Sequence, residues 1–288
     1  MGFLLHSRFE TGYNYREMLK QGGDQMLFIF CAMYPEAAPI ISALGLKAVA
    51  EETVFRVFRS EDTVLAVIGM GKVSAASSVS YIISRYGTGD DRVLNAGICA
   101  CPDRNAKGRI FIVNKLTDND TGRDLYPDMV YETGLPEKPL VTFSRLVTAE
   151  DMEGTDFLYD MEGSAVFEAV NFFMGPDDIA LLKVVSDAGD VSGLTAPVVS
   201  KLMEDVIDDI VRVTGIIRKE KETSDDEELK SLSEDLKCTE YMKNRLSEIY
   251  RYMKAEGIDI RALIDRELPV KDKKEGNEVI DDLLSHLR

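Results

Sequence analysis

Apolar runs of strand length alternate with helical patterns between residues 26 and 217 of this chain. The runs at 26–33, 92–101 and 179–186 are rich in apolar residues, as is typical of strands that are covered on both faces. Between the runs, Pro35 suits the first turn of a helix that ends near Leu44, because its missing N–H costs nothing there. This alternation predicts a three-layer α/β fold.

The remaining elements are predicted from the same patterns. Strands are expected at 53–59, 64–68 and 108–116, with weaker strand patterns at 141–147 and 157–159, and helices at 72–87, 161–172 and about 197–217. Residues 117–139 are rich in Asp, Asn, Gly and Pro and are predicted to form a loop.

The composition divides the chain into three parts. Residues 1–25 are mixed and polar and are predicted to be a poorly ordered arm or a peripheral helix, and 26–219 form the α/β domain. Residues 220–288 are predicted to be an acidic helical extension. Apolar side chains recur there at helical spacing: Leu246, Ile249, Tyr250 and Met253. We expect an appendage packed on the domain or on a neighbouring subunit; a separate interaction module is the alternative.

The charge balance excludes whole classes of partner. The chain has 34 basic and 51 acidic side chains, for a net charge of −17. Such a field repels phosphate backbones and anionic lipid surfaces, so we expect neither nucleic-acid nor membrane binding. No apolar run is long enough to span a bilayer, and the polar residues that follow Leu5 exclude the core of a signal peptide. The sequence therefore predicts a cytoplasmic protein.

Cysteine and histidine are too sparse for a metal centre. Cys99 and Cys101 have no second cysteine pair to complete a zinc site, and the two histidines, His6 and His286, lie at opposite ends of the chain. The four cysteines are too few for a disulfide scaffold and are expected to be reduced, buried thiols. Any acid–base chemistry must therefore rest on carboxylates.

Two carboxylates occupy positions where catalysis is expected. Asp187 follows the apolar run that begins at Ile179, and ligands of open α/β sheets bind outside the carboxyl ends of strands. Glu162 stands at the start of a predicted helix. Each also has a structural interpretation, because Glu162 can complement a helix dipole and Asp187 can cap or form a turn.

Four fragments in this order resemble the purine nucleoside phosphorylase and nucleosidase superfamily: "AMYPEA" at 32–37, "GMGKVSAA" at 69–76, "DMEGSA" at 160–165 and "VVSDAGD" at 184–190. Within the superfamily, they are most similar to the methylthioadenosine/S-adenosylhomocysteine nucleosidases. The resemblance covers about 26–217. It implies an α/β/α fold with a central, mixed, twisted sheet.

The resemblance also implies a role for each motif. Glu36 would orient and deprotonate an attacking water, Met161 would pack against the ribose, and Glu162 would bind the 2′-hydroxyl. Asp187, oriented by Ser186, would give a proton to N7 of the departing purine. These residue types suit cleavage of an N-glycosidic bond, because the sugar becomes positive and the base negative in the transition state.

Three further positions follow from the same resemblance. Gly71 belongs to a turn that the family places near the ribose and the nucleophile; by itself the glycine pair predicts only a strand-to-helix turn. Met152 would take the place of an aromatic residue that stacks on the purine, which gives a softer contact. Ile98 replaces a serine of the family's "TGSAGG" segment and adds bulk beside the nucleophile.

Hydrolysis is expected rather than phosphorolysis. The phosphate-binding arginines of the phosphorylases are absent, and Glu36 would repel a phosphate dianion. A phosphorylase that recruits phosphate through Arg123 or a neighbouring subunit is one alternative. A nucleoside-binding protein with weak catalysis is another, because of Ile98 and because a helix after the 108–116 strand is missing. No cofactor is implied, and a homo-oligomer is expected from the family.

The polar loop at 117–129 has two interpretations. Arg123, Asp124 and Tyr126 could reach into the cleft and select an unusual substrate, or they could form a solvent-exposed turn. The residues themselves favour neither.

Overall fold

The computed structural model of the chain describes residues 25–52, 54–88, 91–219, 227–255 and 257–285. The chain divides between Lys219 and Glu220 into two compact units. Apart from Gln25, the predicted N-terminal arm lies outside the described residues.

The α/β unit holds the strands of one large sheet. Their bounds are β1 (Leu27–Cys31), β2 (Lys47–Ala48), β3 (Arg56–Arg59), β4 (Thr63–Val67), β5 (Arg92–Ala100), β6 (Ile110–Asp118), β7 (Asp124–Leu125), β8 (Glu137–Thr142), β9 (Leu158–Asp160) and β10 (Ile179–Asp187). Its helices are α1 (Tyr34–Ala43), α2 (Lys72–Tyr86), α3 (Gly163–Asn171), α4 (Ala196–Asp205) and α5 (Ile207–Lys219). None of the helices that the structure describes has the length and apolarity needed to cross a bilayer.

The sheet is mixed and curls at one end. β5 lies between β1 and β10 and is parallel to both, while β2, β3 and β4 extend the sheet beyond β1. On the other side, β10 pairs with both β5 and β6, and β8 and β9 connect β6 back to β5. Five strands therefore close into a ring. The α/β class and the mixed central sheet predicted from the sequence are confirmed.

Each face of the sheet is covered by helices, which explains why the central strands are apolar throughout. α2 and α3 supply buried side chains such as Val79, Ile82 and Val166 to one apolar core. α1, α4 and α5 supply Ile40, Met203 and others to the core on the opposite face. Side chains of β10 alternate between the two cores, as the period of a strand requires.

Two regions depart from the sequence-based elements. The predicted loop at 117–139 contains β7 and the start of β8, which begins earlier than expected. The pairing of β8 with β6 shifts register at Pro139, so the strand tolerates a residue that lacks an N–H donor. The helix predicted at about 197–217 is broken at Val206, where the backbone leaves helical geometry between α4 and α5. Residues 126–136 contain no helix, as the sequence indicated.

The second unit is helical, with α6 (Glu227–Asp235), α7 (Glu240–Ala255) and α8 (Lys273–Ser285). The four residues predicted to share a helix face, from Leu246 to Met253, are all buried in its core. At Gly276, α8 packs closely against the backbone at Leu236, which follows α6. A Cβ at this position would lie only 1.9 Å from the carbonyl oxygen of Leu236.

We therefore expect Gly276→Ala to destabilise the helical unit by about 1–3 kcal/mol, because the added methyl group must displace backbone rather than a flexible side chain. Gly215→Ala is the matched control, since Gly215 lies inside α5 with nothing within 4 Å of an added Cβ. That change should stabilise the chain by roughly 0.5–1 kcal/mol through helix propensity. Thermal unfolding of the two variants measures both effects, and equal shifts would show that α8 does not pack this closely.

Candidate active site

A cavity of about 340 Å³ opens at the carboxyl ends of β1, β4, β5 and β10. This is the edge at which ligands of α/β sheets bind, and the volume suits a small molecule. Six of the residues predicted from the sequence lie on its wall: Glu36, Ile98, Met161, Glu162, Ser186 and Asp187. The fold thus gathers side chains from α1, β5, the start of α3 and the end of β10.

Glu36 lies in the first turn of α1 and is only 2% exposed. Its Oε2 accepts the Met33 N–H at 2.8 Å, and its Oε1 accepts the Ile98 N–H at 2.8 Å. Gly97 leaves the necessary room, since a Cβ there would lie 2.8 Å from Oε1. Burial raises the pKa of Glu36, and the two N–H donors and the Lys183 ammonium oppose that rise. A fixed carboxylate with a raised pKa is suited to accept a proton.

Ile98 meets Glu36 through its backbone. The hydrogen bond therefore does not depend on a side-chain hydroxyl, so the change from the family's serine leaves this contact in place. The Ile98 side chain lies on the cavity wall and packs against the core beneath α1. Its effect is to add apolar surface beside the carboxylate.

Glu162 is not used to cap the helix that it precedes. Asp160 takes that role, because its Oδ2 accepts the Gly163 N–H at 2.8 Å. The Glu162 Oε1 instead accepts the N–H of Gly71 at 2.6 Å, across the glycine turn between β4 and α2. Gly71 itself does not line the cavity, but it holds the carboxylate that does.

Burial and the neighbouring Asp160 raise the pKa of Glu162 to about 7, while the Gly71 N–H and the Lys183 ammonium oppose the rise. Glu162 is 8% exposed, so little water reaches it to stabilise the anion. The site therefore holds a carboxylate that gains and loses its proton near neutral pH.

This shift makes folding stability depend on pH. The unfolded chain loses the Glu162 proton near the ordinary pKa of 4.5, whereas the folded chain keeps it up to about pH 7. The folded state binds more protons between these values, so the free energy of unfolding falls as pH rises through this window. We expect Glu162→Gln to match the wild type near pH 4.5 and to exceed its stability by roughly 3 kcal/mol above pH 7.

Denaturant unfolding at a series of pH values from 4.5 to 8 measures this difference. Glu61→Gln, which removes one exposed charge, is the control for the substitution itself. A difference between Glu162→Gln and the wild type that stays constant with pH would contradict the expectation.

Lys183, which pairs with the cavity residue Asp160 but does not line the cavity itself, was not predicted from the sequence. It lies in the middle of β10, is 2% exposed, and places its Nζ 2.8 Å from Asp160 Oδ2. Burial alone lowers the pKa of Lys183, but Asp160, Glu162 and Glu36 raise it above its ordinary value. A lysine inside the apolar run "IALLKVV" was the available signal, because buried lysines are rare unless they are paired.

Asp187 ends β10 and accepts two hydrogen bonds. Ser186 Oγ donates to Oδ2 at 2.7 Å, and the Gly189 N–H donates to Oδ1 at 2.8 Å. The Ser186 hydroxyl also lies 3.0 Å from the carbonyl oxygen of Cys99, which ties it to β5. Gly189 has a φ of +85°, and a Cβ there would lie 2.5 Å from the backbone nitrogen of Ala149. The turn after Asp187 is therefore fixed against the neighbouring loop.

Met152 does not line the cavity, contrary to the prediction that it contacts the base. It is 1% exposed and packs beside Phe143 and Tyr159, because the short helical turn at 150–152 directs it into a small core. Leu146 and Val147 of the same loop line the cavity instead. A buried methionine between aromatic residues is more often packing than a ligand contact.

The polar loop also stays outside the cavity. Arg123 pairs with Glu168 at 2.5 Å, and Asp124 pairs with Lys115 at 2.8 Å. The Lys115 ammonium lies over the ring of Tyr126, 5.8 Å from the ring centre. None of the three predicted loop residues is part of the cavity wall, so the structure supports the exposed-turn interpretation.

The wall combines acids with apolar side chains. Asp160, Glu162, Asp187 and Glu36 provide the charge, and among the described residues that line the cavity there is no lysine, arginine or histidine. Within the described ranges, no three His, Cys, Asp or Glu side chains form a set that could hold a metal ion. Cys31, Cys99 and Cys101 are buried thiols that form no disulfide.

The sequence matches no family model and no curated protein. Solved structures share its fold. The 5′-methylthioadenosine nucleosidase of Arabidopsis thaliana has a TM-score of 0.58 and 18% identity, over 69% of this chain and 98% of that chain. Futalosine hydrolase of Helicobacter pylori has a TM-score of 0.57 and 14% identity, over 66% of this chain and 99% of that chain.

A third structure, from Colwellia psychrerythraea 34H, is a 5′-methylthioadenosine/S-adenosylhomocysteine nucleosidase in complex with adenine. It has a TM-score of 0.54 and 18% identity, over 67% of this chain and 94% of that chain. Each similarity spans nearly all of the other protein, so this chain shares the fold of these enzymes over most of their length. The fold implied by the four motifs is confirmed.

Proposed function

We propose that this protein hydrolyses the N-glycosidic bond of a purine nucleoside or of a 5′-thio-substituted relative. The observation that carries the proposal is the joint placement of Glu36, Glu162 and Asp187 on one cavity whose described wall carries no cation. The solved structures support it, because two nucleosidases and a futalosine hydrolase share this fold and one of the nucleosidases holds adenine.

Asp187 and Glu36 divide the chemistry between leaving group and nucleophile. Asp187, held by Ser186 and the Gly189 N–H, donates a proton to N7 as the base departs. Glu36, held by two backbone N–H groups, accepts a proton from the attacking water. The ribose becomes positive as the bond breaks, and the acidic wall stabilises that charge.

Lys183 acts as a positioning residue, because its buried ammonium offsets the repulsion between the carboxylates of the site. Three carboxylates act on its ammonium, and only Asp160 bonds to it directly. Its charge favours the ionised form of Glu36, which a general base requires.

The charge of the cavity favours water over phosphate as the nucleophile. A phosphate dianion would meet Glu36, Glu162 and Asp187 with no opposing cation on the described wall. Arg123, suggested as a phosphate ligand, is paired with Glu168 and is not part of the wall. Hydrolysis is therefore the reaction that we propose.

Base release from a panel of nucleosides tests the proposal. Methylthioadenosine, S-adenosylhomocysteine, adenosine, inosine and guanosine are each incubated with and without phosphate and analysed by chromatography. We expect release of a purine base that does not depend on phosphate. Release that requires phosphate would assign the protein to the phosphorylases.

A binding function without catalysis is the second candidate, and the apolar surface that Ile98 adds beside Glu36 is the observation that favours it. In that case a nucleoside would raise the melting temperature but would not be cleaved. Replacing Ile98 by serine separates binding from hydrolysis, because cleavage that appears only in Ile98→Ser shows that the isoleucine side chain prevents the reaction.

The cytoplasmic location and the homo-oligomeric state stay predictions of the sequence.

A further inference from the structure

Two segments of the site converge on one carboxylate oxygen outside the cavity, the Oδ2 of Asp118. Lys72 Nζ lies 2.5 Å from this atom, and Ser164 Oγ donates to it at 2.9 Å. Asp118 ends β6 and is 6% exposed, but it is not part of the cavity wall. A charge this deeply buried is costly unless it is paired and hydrogen-bonded, as it is here.

Each partner of Asp118 adjoins one end of the Gly71–Glu162 hydrogen bond. Lys72 follows Gly71 directly and begins α2, and Ser164 lies two residues after Glu162 in the first turn of α3. Asp118 therefore ties the glycine turn to the helix start that presents Glu162 to the cavity.

Asp118 is itself held rigidly. Its Oδ1 accepts the Thr121 N–H at 2.9 Å, the Thr121 hydroxyl at 2.9 Å and the Asp120 N–H at 3.1 Å. Burial opposes ionisation, but the Lys72 ammonium and the hydrogen bonds from Thr121 and Ser164 hold the pKa of Asp118 well below its usual range. The ion pair with Lys72 therefore persists across the pH range of an enzyme assay.

We propose that Asp118 is a positioning residue that fixes the Gly71–Glu162 contact and thereby sets the preference of the site for a ribose over a 2′-deoxyribose. The inference rests on the proposed function, in which Glu162 accepts a hydrogen bond from the 2′-hydroxyl. A carboxylate held at one position can accept a well-aligned hydrogen bond from the 2′-hydroxyl, which favours a ribose over a 2′-deoxyribose. A carboxylate that is free to move makes a weaker bond, so the preference for the ribose falls.

The test compares a nucleoside with its 2′-deoxy analogue. Asp118→Asn keeps the size of the side chain but removes the buried carboxylate that pairs with Lys72, leaving only the exposed Asp120 at 2.9 Å, and Lys72→Met removes the opposite partner. In both variants we expect the ratio of kcat/KM for the two substrates to fall by about tenfold, the scale of one hydrogen bond to a charged group. The loss should fall on the ribonucleoside, with the 2′-deoxy analogue nearly unchanged.

Two controls separate positioning from general damage. Asp178→Asn makes the same change in the buried ion pair with Arg92, at the start of β10 and away from the cavity. Lys115→Met breaks the exposed ion pair between β6 and Asp124. Both should keep the wild-type ratio. If Asp118→Asn fails to fold, as judged by its thermal transition, Lys72→Met decides the question.

The outcomes distinguish this inference from the proposed function. Equal losses on both substrates, or a wild type that cleaves both equally well, overturn the positioning role while leaving nucleoside hydrolysis intact. If the wild type binds nucleosides without cleaving them, the ratio of the two Kd values replaces the kinetic ratio. A wild type that neither cleaves nor binds them refutes the proposed function and this inference together.

Discussion

Replacing Asp187 by asparagine is expected to lower kcat for purine nucleosides by about 10²–10⁴-fold, the usual contribution of a positioned general acid. Asparagine keeps the size of the side chain and can still accept the Gly189 N–H, so the turn after β10 should persist. What it lacks is the proton that the departing base needs. Steady-state kinetics with the best substrate of the panel measures the loss.

The leaving group identifies what Asp187 does. A riboside of 4-nitrophenol departs without protonation, so Asp187→Asn should reduce its hydrolysis far less than that of a purine nucleoside. Asp190→Asn is the matched control, because Asp190 is an exposed carboxylate in the same turn. Equal losses on both leaving groups would mean that Asp187 supports the structure of the site and does not act as the acid.

Replacing Lys183 by methionine is expected to lower the free energy of unfolding by about 3–5 kcal/mol, because it leaves the buried Asp160 charge without its partner. For a unit of this size that corresponds to a fall in Tm of roughly 6–20 °C. Methionine has a similar length and suits an apolar strand, so the packing of β10 contributes little to the loss. Thermal unfolding measures it directly.

A second substitution separates charge from packing. In Lys183→Met/Asp160→Asn both charges are gone, and the asparagine can still accept the Gly163 N–H, so we expect the double variant to recover at least half of the lost stability. Lys115→Met, which breaks an exposed ion pair, should cost less than about 1 kcal/mol. A double variant no more stable than Lys183→Met would show that the cost comes from packing around the strand.

The central strands and most helices of the α/β unit could be predicted because their signals are local. An apolar run of strand length such as Leu27–Cys31 is typical of the middle of a sheet that is covered on both faces. Local signals were misleading at β8, where Pro139 and charged neighbours resemble a loop, and at Val206, where an amphipathic pattern continues through a break between α4 and α5. Both depend on pairing or packing partners that are distant in sequence.

The carboxylates of the candidate site were also found from the sequence, since Glu36, Glu162 and Asp187 occur in short ordered motifs. Their partners were not. Lys183 of β10 reaches Asp160 of β9, and Lys72 at the start of α2 reaches Asp118 at the end of β6, so neither pair has a sequence pattern. Met152 was misplaced for the same reason, because the direction of one short turn decides whether a side chain meets the cavity or the core.

The sequence by itself therefore determined the α/β layers and the carboxylates that can carry the chemistry, because hydrophobic period and short motifs are properties of neighbouring residues. Only the tertiary structure decided how those carboxylates are held, paired and protonated. Burial and the placement of a buried cation set the pKa of Glu36 and of Glu162, and both arise where strands and helices that are distant along the chain come together.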